Sequence, residues 1–284
     1  MAAGKPAALL RLLVTMAMYQ ARRDILVMEL QRRMPAHAVS ELVSPTTLRR
    51  LVDESRCAHV ADAIAFDAGC DVYKSGVQVA CRSHPHRPCH VKRASEWFKR
   101  TGDMGKVPTS AWLHLFAGQQ LGRHLAGPFA LPISPTVRAD ILVRTLSGVH
   151  RVGRKLATMF VSALSNPWLA PRLAPWFPLV DGSQLVVVDT NVARVVDAIA
   201  RGRRPRTYQD REDWIRLHAR RVDLRKYHRT LPGYSPRILQ QAFYAFGSRS
   251  NRVANDTRCR AGELCVHCAP RACPRRRRCC VAGR

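Results

Sequence analysis

A mostly helical fold is what this 284-residue sequence predicts, and three observations carry the expectation. Apolar residues recur three and four positions apart over long stretches, proline and glycine clusters punctuate those stretches, and strand-like alternation is brief. Helical spacing runs over residues 8–34, 109–124, 137–147, 153–165, 190–200, 209–222 and 235–246. The breaks fall at Pro128 to Pro135, Pro167 to Pro178 and Pro232 to Pro236. VYKSGVQVAC, residues 72–81, alternates as a short hairpin within an irregular insertion over 55–92, and LVVV at 185–188 reads as a brief strand. No internal repeat is visible. The expected organisation is an N-terminal helical region over 1–108, a helical core over 109–252 and a cysteine-rich basic segment over 253–284.

The first of these runs shares features with an organelle-targeting peptide. MAAGKPAALLRLLVTMAMYQARR is apolar, arginine-spaced and without an acid before Asp24. It is read as a first amphipathic helix, with an organelle-targeting peptide as the alternative, and a secretory signal fits poorly because no small-residue cleavage site follows the apolar part. The expectation is a protein that is not secreted, working in the cytoplasm or nucleoid of a bacterium, or in a nucleus or organelle.

Charge narrows the partner. With 46% hydrophobic residues the chain has the composition of a folded protein, yet 47 Lys and Arg stand against 20 Asp and Glu, a net +27. So large an excess calls for a polyanion, and each phosphate met by Lys or Arg releases counterions. Nucleic acid is the expected partner and an anionic membrane surface its rival. No apolar run approaches the roughly 20 residues of a spanning helix.

Two motifs give this expectation a chemistry. LSGVHRVGRKLATMFVSAL, residues 146–164, ends one helix near Ser147 and starts another at Gly153 after a short turn. LVVVDTNVARVVDAI, residues 185–199, is an apolar approach to an aspartate at a helix start. Together, and in this order, they resemble the helix-hairpin-helix DNA glycosylases. The resemblance implies two helical lobes flanking a DNA-binding cleft. It implies phosphate binding at Arg151, Val152, Gly153 and Arg154, through backbone N–H groups at the second helix. Small Ala157 lets the two helices pack closely. Asp189 matches the family's catalytic aspartate, and Lys155 the lysine of its bifunctional members. Two departures stand out. Arg151 occupies the place of the hairpin's first glycine, which predicts a wider turn. The 33 residues between Lys155 and Asp189 make a longer interval than usual, similar to that of the archaeal 8-oxoguanine branch.

The residue types suit the reaction. Breaking an N-glycosidic bond builds positive charge on the sugar, which a carboxylate stabilises. An unprotonated amine attacking C1′ displaces the base and leaves a Schiff base, from which β-elimination cuts the strand. The implied activity is removal of a damaged base, an oxidised one above all, from double-stranded DNA, with AP-lyase nicking, by a monomer. A monofunctional glycosylase, adenine-type included, and a non-catalytic DNA-binding protein are the alternatives. For Asp189 the structural alternative is an N-cap, and for Lys155 a phosphate contact. Trp168, Trp176 and Phe177, in the proline-rich interval, are read as packing a loop, with stacking on a flipped base as the alternative.

Six of ten cysteines crowd into CRAGELCVHCAPRACPRRRRCC, residues 259–280. Cys259, Cys265, Cys268 and Cys273 are similar in spacing to the iron–sulfur loop of endonuclease III relatives, with two gaps each one residue shorter. The resemblance implies a [4Fe–4S] cluster, one thiolate per iron. Zinc takes the same four sulfurs, and Cys279 or Cys280 is a substitute ligand. Arg275 and Arg276, in the run that follows, are expected on DNA phosphate. A second group, Cys81, His84, His86, Cys89 and His90, matches no standard zinc finger and is read as a basic loop.

Overall fold

The computed structural model describes residues 6–18, 28–29, 32–55, 57–75, 78–87, 89–97, 105–117, 133–200 and 205–247. Among them the fold is mostly helical, and the only strands form one small hairpin. The chain divides into two compact units, Met1–Gly182 and Ser183–Arg284.

In the first unit, α1 (Pro6–Met18) buries Leu10 and Leu13 completely and packs on α2 (Ala36–Val43), α3 (Pro45–Ser55) and two later helices. A 3₁₀ turn (Ala58–Val60) leads to α4 (Ala63–Gly69), whose start is fixed by Asp62 accepting the Ala65 N–H at 2.8 Å. Strands β1 (Tyr73–Ser75) and β2 (Gln78–Ala80) then pair antiparallel, Tyr73 opposite Ala80, within the expected 72–81 hairpin. Helices α5 (His90–Trp97) and α6 (Val107–Trp112) follow, and α6 continues as one π-helical turn, Leu113–Ala117.

Helices α7 (Pro135–Ser147) and α8 (Arg154–Ser165) are the heart of this unit. Ser134 caps α7 and Pro135 supplies its first residue, where a missing N–H costs nothing. The pair packs together and buries Leu142, Leu146, Leu156, Ala157 and Phe160, each large side chain contributing roughly 1.5–3 kcal/mol. Ala157 is fully buried, as close helix packing requires.

The proline-rich segment after α8 is a packed loop. Trp176 is fully buried, edge-on to Phe160 at 5.9 Å, and its backbone N–H donates to the Leu164 carbonyl at 3.0 Å. Arg138 of α7 donates to the Leu179 carbonyl at 2.7 Å and the Asp181 N–H to that of Pro135 at 3.1 Å. Trp176 is therefore a core residue. Trp168 and Phe177 pair edge-on at 5.5 Å, with Phe177 partly exposed.

The second unit holds α9 (Thr190–Ile199), α10 (Tyr208–Ala219), a 3₁₀ turn (Leu224–Lys226) and α11 (Pro236–Gly247). Val186, Val188, Val192, Val196 and Ile215 form its core, with Tyr208, Trp214, Phe243 and Tyr244 against them. Thr207 and Asp210 close a capping box on α10, and Arg211 grips Asp197 of α9 with two 2.9 Å bonds. Helices α9 and α11 pack so tightly that a Cβ on Gly247 would stand 2.8 Å from the Asn191 carbonyl oxygen.

The strand expected at 185–188 is not formed. These residues are buried, and the described residues give them no ladder partner. Instead the Tyr208 hydroxyl accepts the Val188 N–H and donates to the Val186 carbonyl, both at 3.2 Å, so a side chain serves where a second strand would. Within the insertion at 55–92, α4, the 3₁₀ turn and the hairpin supply regular structure.

Candidate functional site

The turn between α7 and α8 is tight. The Val149 N–H donates to Leu146 at 3.0 Å, and the Val152 N–H returns to the Val149 carbonyl at 2.8 Å. Arg151 has φ 62°, the only positive φ at a non-glycine among the described residues. Arginine thus adopts a left-handed conformation that glycine takes more readily, at a cost of about 1–2 kcal/mol. Val152 is 1% exposed and anchors the turn in the core, leaving only its backbone for an external contact.

Gly153, Arg154 and Lys155 are exposed at the start of α8. Gly153 has φ −72° and ψ 173°, a backbone any residue adopts, and a Cβ there would meet nothing within 4 Å. Neither strain nor protein crowding requires glycine at this position. The Gly153 carbonyl accepts the N–H groups of Leu156 and Ala157, while the earlier N–H groups of a helix have no acceptor within it. No acid stands in the first turn of α8, so Arg154 and Lys155 add positive charge to the positive end of the helix dipole.

Asp189 lies in the second unit, half-buried, at the N-cap of α9. Its carboxylate accepts the Val192 N–H at 2.7 Å and its carbonyl that of Ala193 at 2.8 Å. Two residues not legible as functional act near it. Tyr208 binds the backbone on the approach to Asp189 through Val186 and Val188. Arg237 of α11 is 6% exposed; burial pushes its guanidinium down to about 10, against the charges of Tyr208 and Asp189. Its guanidinium donates to the side-chain carbonyl of buried Gln240 and, at 3.5 Å, to that of Gln241, and its N–H meets the Ser183 carbonyl at 3.1 Å. The sequence signal for this network is faint: Arg237 follows Ser-Pro at a helix start, where a basic residue reads as surface.

Cys259, Cys265, Cys268, Cys273, Arg275 and Arg276 lie outside the described residues. Among those described, no three His, Cys, Asp or Glu side chains are arranged to hold a metal ion. In the second cysteine–histidine group, the Cys81 thiol donates to Asp71 at 2.9 Å, and Lys92 donates to the carbonyls of His84, Pro85 and Arg87 at 2.7–2.9 Å. Cys70 is a poor nucleophile, its thiol pushed up to about 11 by burial. Among the described residues, no helix is long and apolar enough to cross a membrane.

No protein-family model, curated protein or solved structure matches the chain.

Proposed function

We propose that this protein is a DNA glycosylase of the helix-hairpin-helix kind that removes a damaged base from duplex DNA and nicks the strand. The observation that carries the reading is the start of α8. An exposed glycine with open space around it, flanked by Arg151, Arg154 and Lys155, tops a helix with no acid in its first turn. Such an arrangement stabilises an anion placed there, and a DNA phosphate suits the net charge of +27. In this reading the target nucleotide is flipped out, at a cost of a few kcal/mol, and Lys155 attacks C1′ as the base departs. Asp189 stabilises the charge that develops on the sugar. Cys259, Cys265, Cys268 and Cys273 hold a [4Fe–4S] cluster, with zinc as the alternative. The cluster braces the basic tail and takes no part in the chemistry. Iron content and absorption near ~400 nm test that assignment, and zinc in place of iron overturns it.

A second reading, a DNA-binding protein without catalysis, is favoured by one observation: the Asp189 carboxylate is already occupied in capping α9. Borohydride trapping separates the two. Duplexes carrying 8-oxoguanine, an oxidised pyrimidine, uracil, mismatched adenine or an abasic site are incubated with wild type and Lys155→Ala. A lesion-specific covalent adduct, absent from the variant, is expected. An adduct that survives the substitution removes Lys155 as nucleophile. Absence of both adduct and base release on every duplex leaves the binding protein.

A further inference from the structure

The hairpin turn rests on a helix outside the α7–α8 pair. Asp67 projects from α4 in the 55–92 segment and bonds Ser110 and His114, the two side chains that meet the turn at His150 and Gly148. One carboxylate oxygen accepts the His114 Nε2–H at 2.9 Å. The His114 ring, carried by the π-helical turn after α6, lies against Gly148, where a Cβ would come within 3.2 Å of the ring carbon Cε1. The other oxygen takes a longer bond, 3.4 Å, from the Ser110 hydroxyl. That hydroxyl in turn accepts the His150 N–H at 2.9 Å. Ser110 is fully buried and the His114 side chain is 17% exposed, so the carboxylate is tied into the unit at both oxygens. Arg151 follows directly on the anchored His150, in a conformation its side chain disfavours.

A strained residue persists only where its surroundings hold it, and those surroundings include Ser110, bonded to the His150 N–H, and His114, packed on Gly148. A π-helical turn within a helix is itself often found at functional positions, because it re-aims the side chains that follow. Here it brings His114 over the turn.

We propose that Asp67 is a positioning residue for DNA binding: through Ser110 and His114 it fixes the 148–151 turn in the shape that presents Arg151 and the Gly153 backbone to one DNA phosphate. This rests on the hairpin reading given above. It gives α4, and with it the 55–92 segment, a part in function.

The test uses the full-length protein as wild type, Asp67→Ala, Asp67→Asn and His114→Gln, with two readouts. Hydrogen exchange of the 148–153 backbone in the free protein reports the turn itself. The dependence of duplex affinity on salt reports how many phosphates are held. Asp67→Ala is expected to raise exchange at the turn, weaken binding about tenfold and lower the salt slope by about 0.9, the loss of one phosphate contact. Asp67→Asn, which keeps one acceptor, falls between, and His114→Gln removes one arm without emptying the carboxylate's site. A variant that merely lowered stability would leave the slope of the folded fraction unchanged. Wild-type binding with normal salt dependence that none of the three variants alters overturns this inference and leaves the hairpin reading intact. Failure of the wild type to bind duplex DNA overturns the hairpin reading, and the positioning role with it.

Discussion

Arg151 and His90 show how single residues carry opposite kinds of cost. Arg151 bears backbone strain in a place where glycine would bear none, and what it adds is a cation at the hairpin. His90 bears a desolvation cost. Burial, with the charge of Arg93 added, pushes its imidazole from 6.5 down to about 4, and its Nε2 sits 3.0 Å from the Thr109 hydroxyl. The unfolded chain therefore binds a proton that the folded chain refuses. Stability from this group is complete above about pH 6.5, falls as pH drops below it, and levels off below about pH 4. Between pH 7 and pH 5 the loss is about 2 kcal/mol. Urea unfolding at the two pH values checks it: wild type loses that stability, and His90→Gln, which has no proton to take up, loses less. Equal losses in the two proteins would remove His90 as the source.

At the scale of elements, capping and chemistry meet at Asp189, and substitution separates them. Asparagine caps a helix as well as aspartate does, whereas alanine loses the bond to the Val192 N–H and costs about 1 kcal/mol. Asp189→Asn is expected to unfold at the wild-type temperature and to release no base, with DNA binding retained. Asp189→Ala is expected to lose both activity and stability. Base release by the asparagine variant at the wild-type rate would reduce Asp189 to a cap. Among the elements, periodicity made the long helices legible: the runs at 137–147, 153–165, 190–200 and 235–246 are all helices to within a residue or two at each end. Helices α2, α4 and α5, seven or eight residues long, were not, because two turns give a 3.6-residue period too few repeats to stand out, and α3, eleven residues long, was missed as well. The LVVV run failed for another reason: an apolar segment becomes a strand only if a partner lies beside it, and here Tyr208 took that place.

For the whole molecule, charge is the dominant fact. With +27 on 284 residues, duplex affinity is expected to fall about a hundredfold between ~0.05 M and ~0.2 M salt, as about four phosphate contacts produce. Fluorescence anisotropy on an undamaged duplex measures it, and affinity indifferent to salt would argue against phosphate binding altogether. The sequence by itself determined the helical class, the excess of positive charge, the turn at 148–153 and the aspartate at the head of α9, since composition, period and local capping act over a few residues. Only the tertiary structure decided that Trp176 belongs to a core, that Arg237 is buried beside Tyr208 and Asp189, and that Asp67 underlies the hairpin turn. Asp67 stands 47 residues from His114 and Arg237 stands 48 from Asp189 along the chain. Contacts at such separations depend on how whole helices pack, and no local pattern of residues encodes them.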